Sequence, residues 1–213
     1  MRLGLILWLV FSWVQTSASA PEFPKGSLPV AFYQQKTDYG CGAAALLAVL
    51  RYWQVYRGSE RALYPLLGTD ADSGTQWTEI HKVARHFGLV SKVTENTSIE
   101  ELRKSLAEGK TVILEIQAWT DDTSPHHRWD NDWIDGHYTT LVGMDSEYAY
   151  FMDSSSDGPY IYVTINELMK RWHNWAVGFD GVERKYQRVA LHLMGKTHGP
   201  SHFQFPVPIA PLE

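Results

Sequence analysis

The sequence predicts an α+β domain, and three observations carry that expectation. Apolar segments with helical composition and periodicity fall in the first half of the chain. β-Branched and aromatic runs dominate the second half. Tight turn sequences between those runs favour antiparallel pairing. The expected arrangement is a buried amino-terminal helix packed on a largely antiparallel sheet.

The elements follow in order. Residues 21–30 are proline-rich and expected to be extended. Gly42 to Trp53 is almost wholly apolar, with Ala43, Ala44 and Ala45 followed by Leu46, Leu47, Ala48, Val49 and Leu50. Alanine and leucine favour helix, and a helix apolar on every side is a buried one. Thr75 to Phe87 reads as an amphipathic helix, with Trp77, Ile80, Val83, Ala84 and Phe87 on one side and Gly88 as its stop. Leu89 to Val93 is a candidate strand. Ser98 and Glu101 form a capping-box pattern that opens a helix to about Glu108, ended by Gly109. Thr111–Trp119, His137–Met144, Tyr148–Met152 and Tyr160–Val163 read as strands, with Asp145-Ser146-Glu147 as a tight connection. Thr164 and Glu167 suggest a second capping box before a short helix to Trp172. Val189–Met194 closes as a strand, and the Gly/Pro-rich tail 196–213 is expected to be loosely held.

Composition narrows the function. The chain has 213 residues, 19 basic and 24 acidic groups, a net charge of −5 and one cysteine, Cys41. That length suits one domain with a substantial core. A single cysteine can form neither an internal disulfide nor a four-cysteine zinc site. Mild acidity argues against a nucleic-acid partner, which would require a basic face. Residues 1–20 read as a signal peptide: Arg2, an apolar run from Leu3 to Val14, and a small-residue end with cleavage expected after Ala18 or Ala20. The apolar run is shorter than the roughly 20 residues that a spanning helix needs. The expected location is therefore periplasmic or secreted, with no stable membrane insertion after signal cleavage. The domain proper is expected to span 21–195.

Cys41 stands at the start of the predicted buried helix. Free N–H groups and partial positive charge there favour a thiolate nucleophile. Gly40 and Gly42 flank it and would let a substrate carbonyl approach the backbone. Gln35, just upstream, could form an oxyanion hole with the Cys41 N–H. An inert buried thiol is the alternative. His137 opens a predicted strand and Asp153 ends the next one, so antiparallel pairing would bring them side by side, as a base and its orienting carboxylate. A core or surface histidine is the plainer alternative.

Taken together, Gln35, Cys41-Gly42-Ala43-Ala44, Gly136-His137-Tyr138 and Asp153 resemble the papain-like fold. They are closest to its bacteriocin-processing type, the double-glycine leader peptidases of peptidase family thirty-nine. The Gly74–Phe87 segment and the Glu167–His173 segment also resemble stand-alone members. The resemblance spans residues 30 to 195. It implies Cys41 as nucleophile, His137 as base, Asp153 as orienting group and Gln35 as oxyanion donor, with reaction through an acyl-enzyme. Asp153-Ser154 departs from the family's common Asp-Pro. An export signal departs from its best-known members, which are cytoplasmic domains fused to a peptide exporter.

The segment from Asp121 to His137 is rich in aspartate, histidine and tryptophan and leads into the candidate base. It reads as a solvated acidic loop bordering the cleft, with Trp133 and Asp135 as candidate substrate contacts. A calcium loop on Asp130 and Asp132 fails because its third ligand position is Ile134. His126, His127, Asp130 and His137 show no clean zinc spacing. No metal or cofactor is expected. Trp53, Trp77 and Trp172 read as core. The expected partner is a peptide or protein substrate, and the oligomeric state is open. An acyltransferase or amidase on the same fold, or a non-catalytic peptide-binding module, are the alternatives to a peptidase.

Overall fold

A computed structural model describes residues 21–120, 124, 128–155, 158–197, 205 and 209–212. The predicted signal peptide, and Asp121, Asp122, His126 and His127 of the acidic segment, lie outside the described residues. After an extended start come helices α1 (Cys41–Tyr52), α2 (Tyr64–Leu67) and α3 (Trp77–His86), strand β1 (Val90–Thr94), helix α4 (Ile99–Ala107) and strand β2 (Thr111–Gln117). A 3-10 turn (Trp129–Asn131) precedes β3 (Gly136–Met144), β4 (Tyr148–Met152), β5 (Tyr160–Thr164) and helix α5 (Ile165–Arg171). The remaining strands are β6 (His173–Val177), β7 (Glu183–Gln187), β8 (Ala190–Met194) and β9 (Ala210–Pro211).

The main sheet runs β1-β8-β2-β3-β4-β5-β9. Every pair in it is antiparallel except β5 with β9. Strand β2 is buried along its whole length because helices cover both faces of the sheet. On one face, Ile113, Val142 and Leu191 pack with α1 and α3. On the other, Val112, Leu114 and Ile116 pack with Leu102 of α4 and Leu168 of α5. α1 is sealed between the sheet and α3, so all of Ala43–Leu50 is buried, as its composition predicts. Trp53, Trp77 and Trp172 are core residues. Among the described residues, no helix is long and apolar enough to cross a membrane.

Local signals act as their chemistry requires, with instructive exceptions. Ser98 and Glu101 complete a reciprocal capping box on α4. At α5 only half the box forms: the Glu167 N–H donates to Thr164 Oγ1 at 3.1 Å. The Glu167 carboxylate instead accepts from Arg171 Nε at 3.1 Å, because that guanidinium is 4% exposed and needs an anion. α3 begins at Trp77 rather than Thr75; Thr75 packs against α1 instead.

Of the tail expected to be loosely held, 196, 197, 205 and 209–212 are among the described residues, and those at 205 and 209–212 pack on the domain. Ala210–Pro211 pair with β5, Ile209 and Leu212 are buried, and Phe205 stacks on Phe23 with ring centroids 4.0 Å apart. The apolar side chains cover the open edge of β5, which outweighs the turn-forming composition.

Candidate active site

Cys41 is the first residue of α1. Its N-cap, Gly40, makes no side-chain cap, and no acidic residue lies in the first turn. The backbone N–H of Cys41 has no acceptor among the described residues, as expected for the first turn of a helix. The thiol is partly exposed and lines a cleft of about 640 Å³.

His137 enters from the start of β3, and Asp153 follows the end of β4. The β3–β4 pairing carries a register shift between Leu141 and Gly143. Asp153 is fully buried, and its Oδ2 lies 2.8 Å from His137 Nε2. Its Oδ1 accepts the Ser155 N–H at 2.8 Å. With Nε2 committed to Asp153, Nδ1 is the nitrogen left for the Cys41 thiol, which lies close enough to bias the ionisation of the ring. Burial alone pulls the His137 pKa down. The Asp153 carboxylate, by charge and hydrogen bond, and the Cys41 sulfur more weakly, reverse this and hold it up at about 10. Trp119 stands edge-on to His137, centroids 6.4 Å apart. Its φ of 64° is uncommon for a bulky residue, the kind of local strain that clusters at functional sites.

Gln35 is tied to the same corner. Its Oε1 accepts from the hydroxyls of Ser154 at 2.9 Å and Ser155 at 2.7 Å. Its Nε2 donates to the carbonyls of Thr37 at 2.9 Å and Asp38 at 3.3 Å. Ser154, where the family commonly has proline, thus anchors Gln35. The amide donors are turned to the chain's own loop, and the long bond to Asp38 is the one a substrate oxygen could replace.

Three of the expected substrate contacts, Gly40, Gly42 and Asp135, are not among the residues that line the cleft. A Cβ on Gly40 would lie 2.6 Å from Tyr64 Oη, and one on Gly42 would lie 2.7 Å from Thr75 Cβ. These glycines allow close packing of α1 against its own neighbours. Asp135 does not line the cleft. Its N–H is held by Gln117 Oε1 at 2.9 Å, which fixes the chain leading into β3. Trp133 does line the cleft, its ring tilted against that of His173 with centroids 4.2 Å apart. His173 itself belongs to β6, and its Nε2 meets the Asp132 carbonyl at 2.6 Å. Among the described residues, no group of three or more His, Cys, Asp or Glu side chains is placed to hold a metal.

Sequence reasoning missed Glu115, Tyr138, Asn174 and Lys185, all of which line this cleft. A carboxylate inside the apolar run Val112–Ile116 was the available signal for Glu115. Nothing in the polar stretch 183–187 marked Lys185.

The model of the Peptidase_C39 like family matches residues 27–176. The chain belongs to that family. Solved structures agree on the fold. A putative C39-like peptidase from Bacillus anthracis superposes with a TM-score of 0.58 at 19% identity, over 80% of this chain and 98% of the other. The peptidase domain of Streptococcus ComA, a bifunctional ABC transporter, gives 0.56 at 14%, over 78% and 99%. A double glycine motif protease from an AMS/PCAT transporter, solved with its leader peptide, gives 0.52 at 18%, over 84% and 96%. No curated protein matches the chain. The fold is thus that of the papain-like C39 peptidase domains, and family and fold support a cysteine peptidase-type function.

Proposed function

We propose that this member of the family is an exported cysteine peptidase that hydrolyses peptide or amide bonds through Cys41, His137 and Asp153. The observation that carries the reading is the buried pair of Asp153 Oδ2 and His137 Nε2 at 2.8 Å, with the ring close enough to the Cys41 thiol of the cleft for the two to bias each other's charge. His137 takes the thiol proton, and the sulfur attacks the scissile carbonyl carbon. The carbonyl becomes an oxyanion, received by the free Cys41 N–H and by a Gln35 N–H released from Asp38. As the tetrahedral species collapses, the C–N bond breaks and His137 gives its proton to the leaving amine. Water, deprotonated by His137, then cleaves the thioester and restores the thiol. Asp153 holds the ring in one tautomer and stabilises the imidazolium. The residues up to and including Ala18 or Ala20 act as the export signal in this reading, which puts the enzyme in the periplasm or outside the cell.

The test is peptide-library cleavage in reducing buffer with wild type, Cys41→Ala and His137→Ala. Wild type should cleave, both variants should lose cleavage by at least about 10³-fold, and acyl probes should add mass at Cys41. Cleavage that survives in Cys41→Ala would sink the reading. Fractionation of expressing cells and amino-terminal sequencing of the product test the export signal.

A further inference from the structure

The cleft beside Cys41 contains a carboxyl group that the proposed hydrolysis does not use. Glu115 of β2 pairs in register with Tyr138 of β3 and lines the same cavity as Cys41. It is 7% exposed. A carboxylate buried to that extent is costly unless a cation or several donors meet it. Among the described residues no basic side chain forms an ion pair with Glu115. The cation of the cleft, Lys185, lies over aromatic rings instead, its Nζ 4.2 Å from the Trp133 centroid and 6.0 Å from that of Trp175. Asn174 is a polar neighbour close enough to bias the ionisation of the carboxyl. The Tyr138 hydroxyl is close enough to bias the ionisation of Glu115, yet it is buried and meets no partner at hydrogen-bond geometry. The cleft therefore presents one carboxyl without a counter-ion and one unpartnered hydroxyl, with the indoles of Trp133 and Trp175 in its walls.

We propose that Glu115 and Tyr138 form a subsite for a primary ammonium group of the substrate, adjacent to the bond that Cys41 attacks. The inference deepens the peptidase reading and rests on it. An ammonium has three N–H donors and no acceptor. A carboxylate, a hydroxyl oxygen and an indole face are the groups that receive it. Asp38 and Asp72, which also line the cleft, add the same sign of potential. An apolar or acidic substrate group would leave the buried carboxyl protonated and gain no ion pair from it. The ammonium can belong to a lysine side chain or to a free amino terminus; the chemistry is shared.

Protonation supports the geometry. Burial pushes Glu115 up to about 8, against the smaller downward pull of Tyr138 and Asn174. The empty subsite then carries a proton near neutrality and releases it when an ammonium arrives. The charged or titratable groups facing it are Tyr138, Cys41 and Lys185, with Asp38 and Asp72 also lining the cleft. Ammonium selectivity accordingly rises from pH 6 to pH 8.

The test reads Cys41, the chain's single thiol, by its rate of alkylation with iodoacetamide at constant ionic strength. The probes are n-butylammonium for a lysine side chain, alaninamide for an amino terminus, n-butylguanidinium and uncharged n-butanol. An ammonium probe should slow alkylation saturably in wild type, more at pH 8 than at pH 6, and n-butanol should not. Glu115→Gln should weaken that protection about tenfold or more. The better of the two ammonium probes assigns the source. Tyr138→Phe, with a smaller loss in the same direction, serves if Glu115→Gln does not fold. No protection by either ammonium in wild type, stronger protection by n-butylguanidinium, or equal protection in Glu115→Gln would overturn the subsite. No cleavage is needed, so a protein that fails the peptide-library test but is protected by ammonium separates the two failures.

Discussion

Replacing Asp153 with asparagine tests how far the buried pair holds the site together. The carboxylate and His137 are 0% and 5% exposed and 2.8 Å apart. His137 is held up at about 10, from an ordinary value of about 6.5. A folded-state pKa above the unfolded one contributes stability that is fully present below pH 6.5 and is lost as pH rises through 10. At about 1.36 kcal/mol per pH unit the shift corresponds to about 3–5 kcal/mol, the same range as breaking a buried pair by removing one partner. Urea unfolding of wild type and Asp153→Asn at pH 6, 8 and 10 measures it. The difference should be about 3–5 kcal/mol at pH 6 and should fall to about 1–2 kcal/mol beyond pH 10, where a neutral hydrogen bond remains. Titrations elsewhere cancel between the two proteins. A difference that is equal at all three pH values would refute the linkage, and with it the claim that Asp153 stabilises a charged His137.

Three further outcomes follow from the packing. Gly42→Ala puts a Cβ 2.7 Å from Thr75 Cβ, so thermal unfolding should show a loss of about 1–3 kcal/mol, although alanine is the better helix former by about 1 kcal/mol. Buried His192, hydrogen-bonded to Thr94 and Ser105 at 2.8 Å each, is held down at about 4, chiefly by burial and then by Lys92 and Lys110. Its stabilisation is full above pH 6.5 and is lost toward pH 4, so His192→Gln should flatten that acid limb by about 2–3 kcal/mol in a pH series of unfolding curves. Deleting residues 209–213 uncovers the edge of β5 and removes the buried Ile209 and Leu212, and should cost about 2–4 kcal/mol in denaturant titration.

Much of the fold was legible because local chemistry and burial agree. The Gly42–Trp53 run reads as buried helix since it is apolar on every side, and it lies between two covered surfaces. The start of Tyr148–Met152 is recovered because its aromatic run begins where the Asp145–Glu147 turn ends, and there Asp145 Oδ1 accepts the N–H groups of Glu147 and Tyr148. The β6–β7 hairpin escaped notice. Glu183, Arg184, Lys185 and Gln187 face solvent, so no apolar alternation marks the strand. The two-residue β9 is defined by the edge it covers and carries no signal of its own.

At the candidate site, sequence order alone paired His137 with Asp153, because a tight turn between adjacent strands leaves few other partners. It also placed Cys41 at a helix start. What only the tertiary structure decided is which groups share the cleft. Glu115 reads as an oddity in an apolar strand until β2 pairs with β3 and sets it beside Tyr138. Nothing along the chain shows that Tyr64 and Thr75 pack against Gly40 and Gly42. Periodicity and turn chemistry act between near neighbours and so can be read along the chain. Desolvation and close contact depend on residues far apart in sequence, and these set the charge state of Glu115 and the space at each glycine.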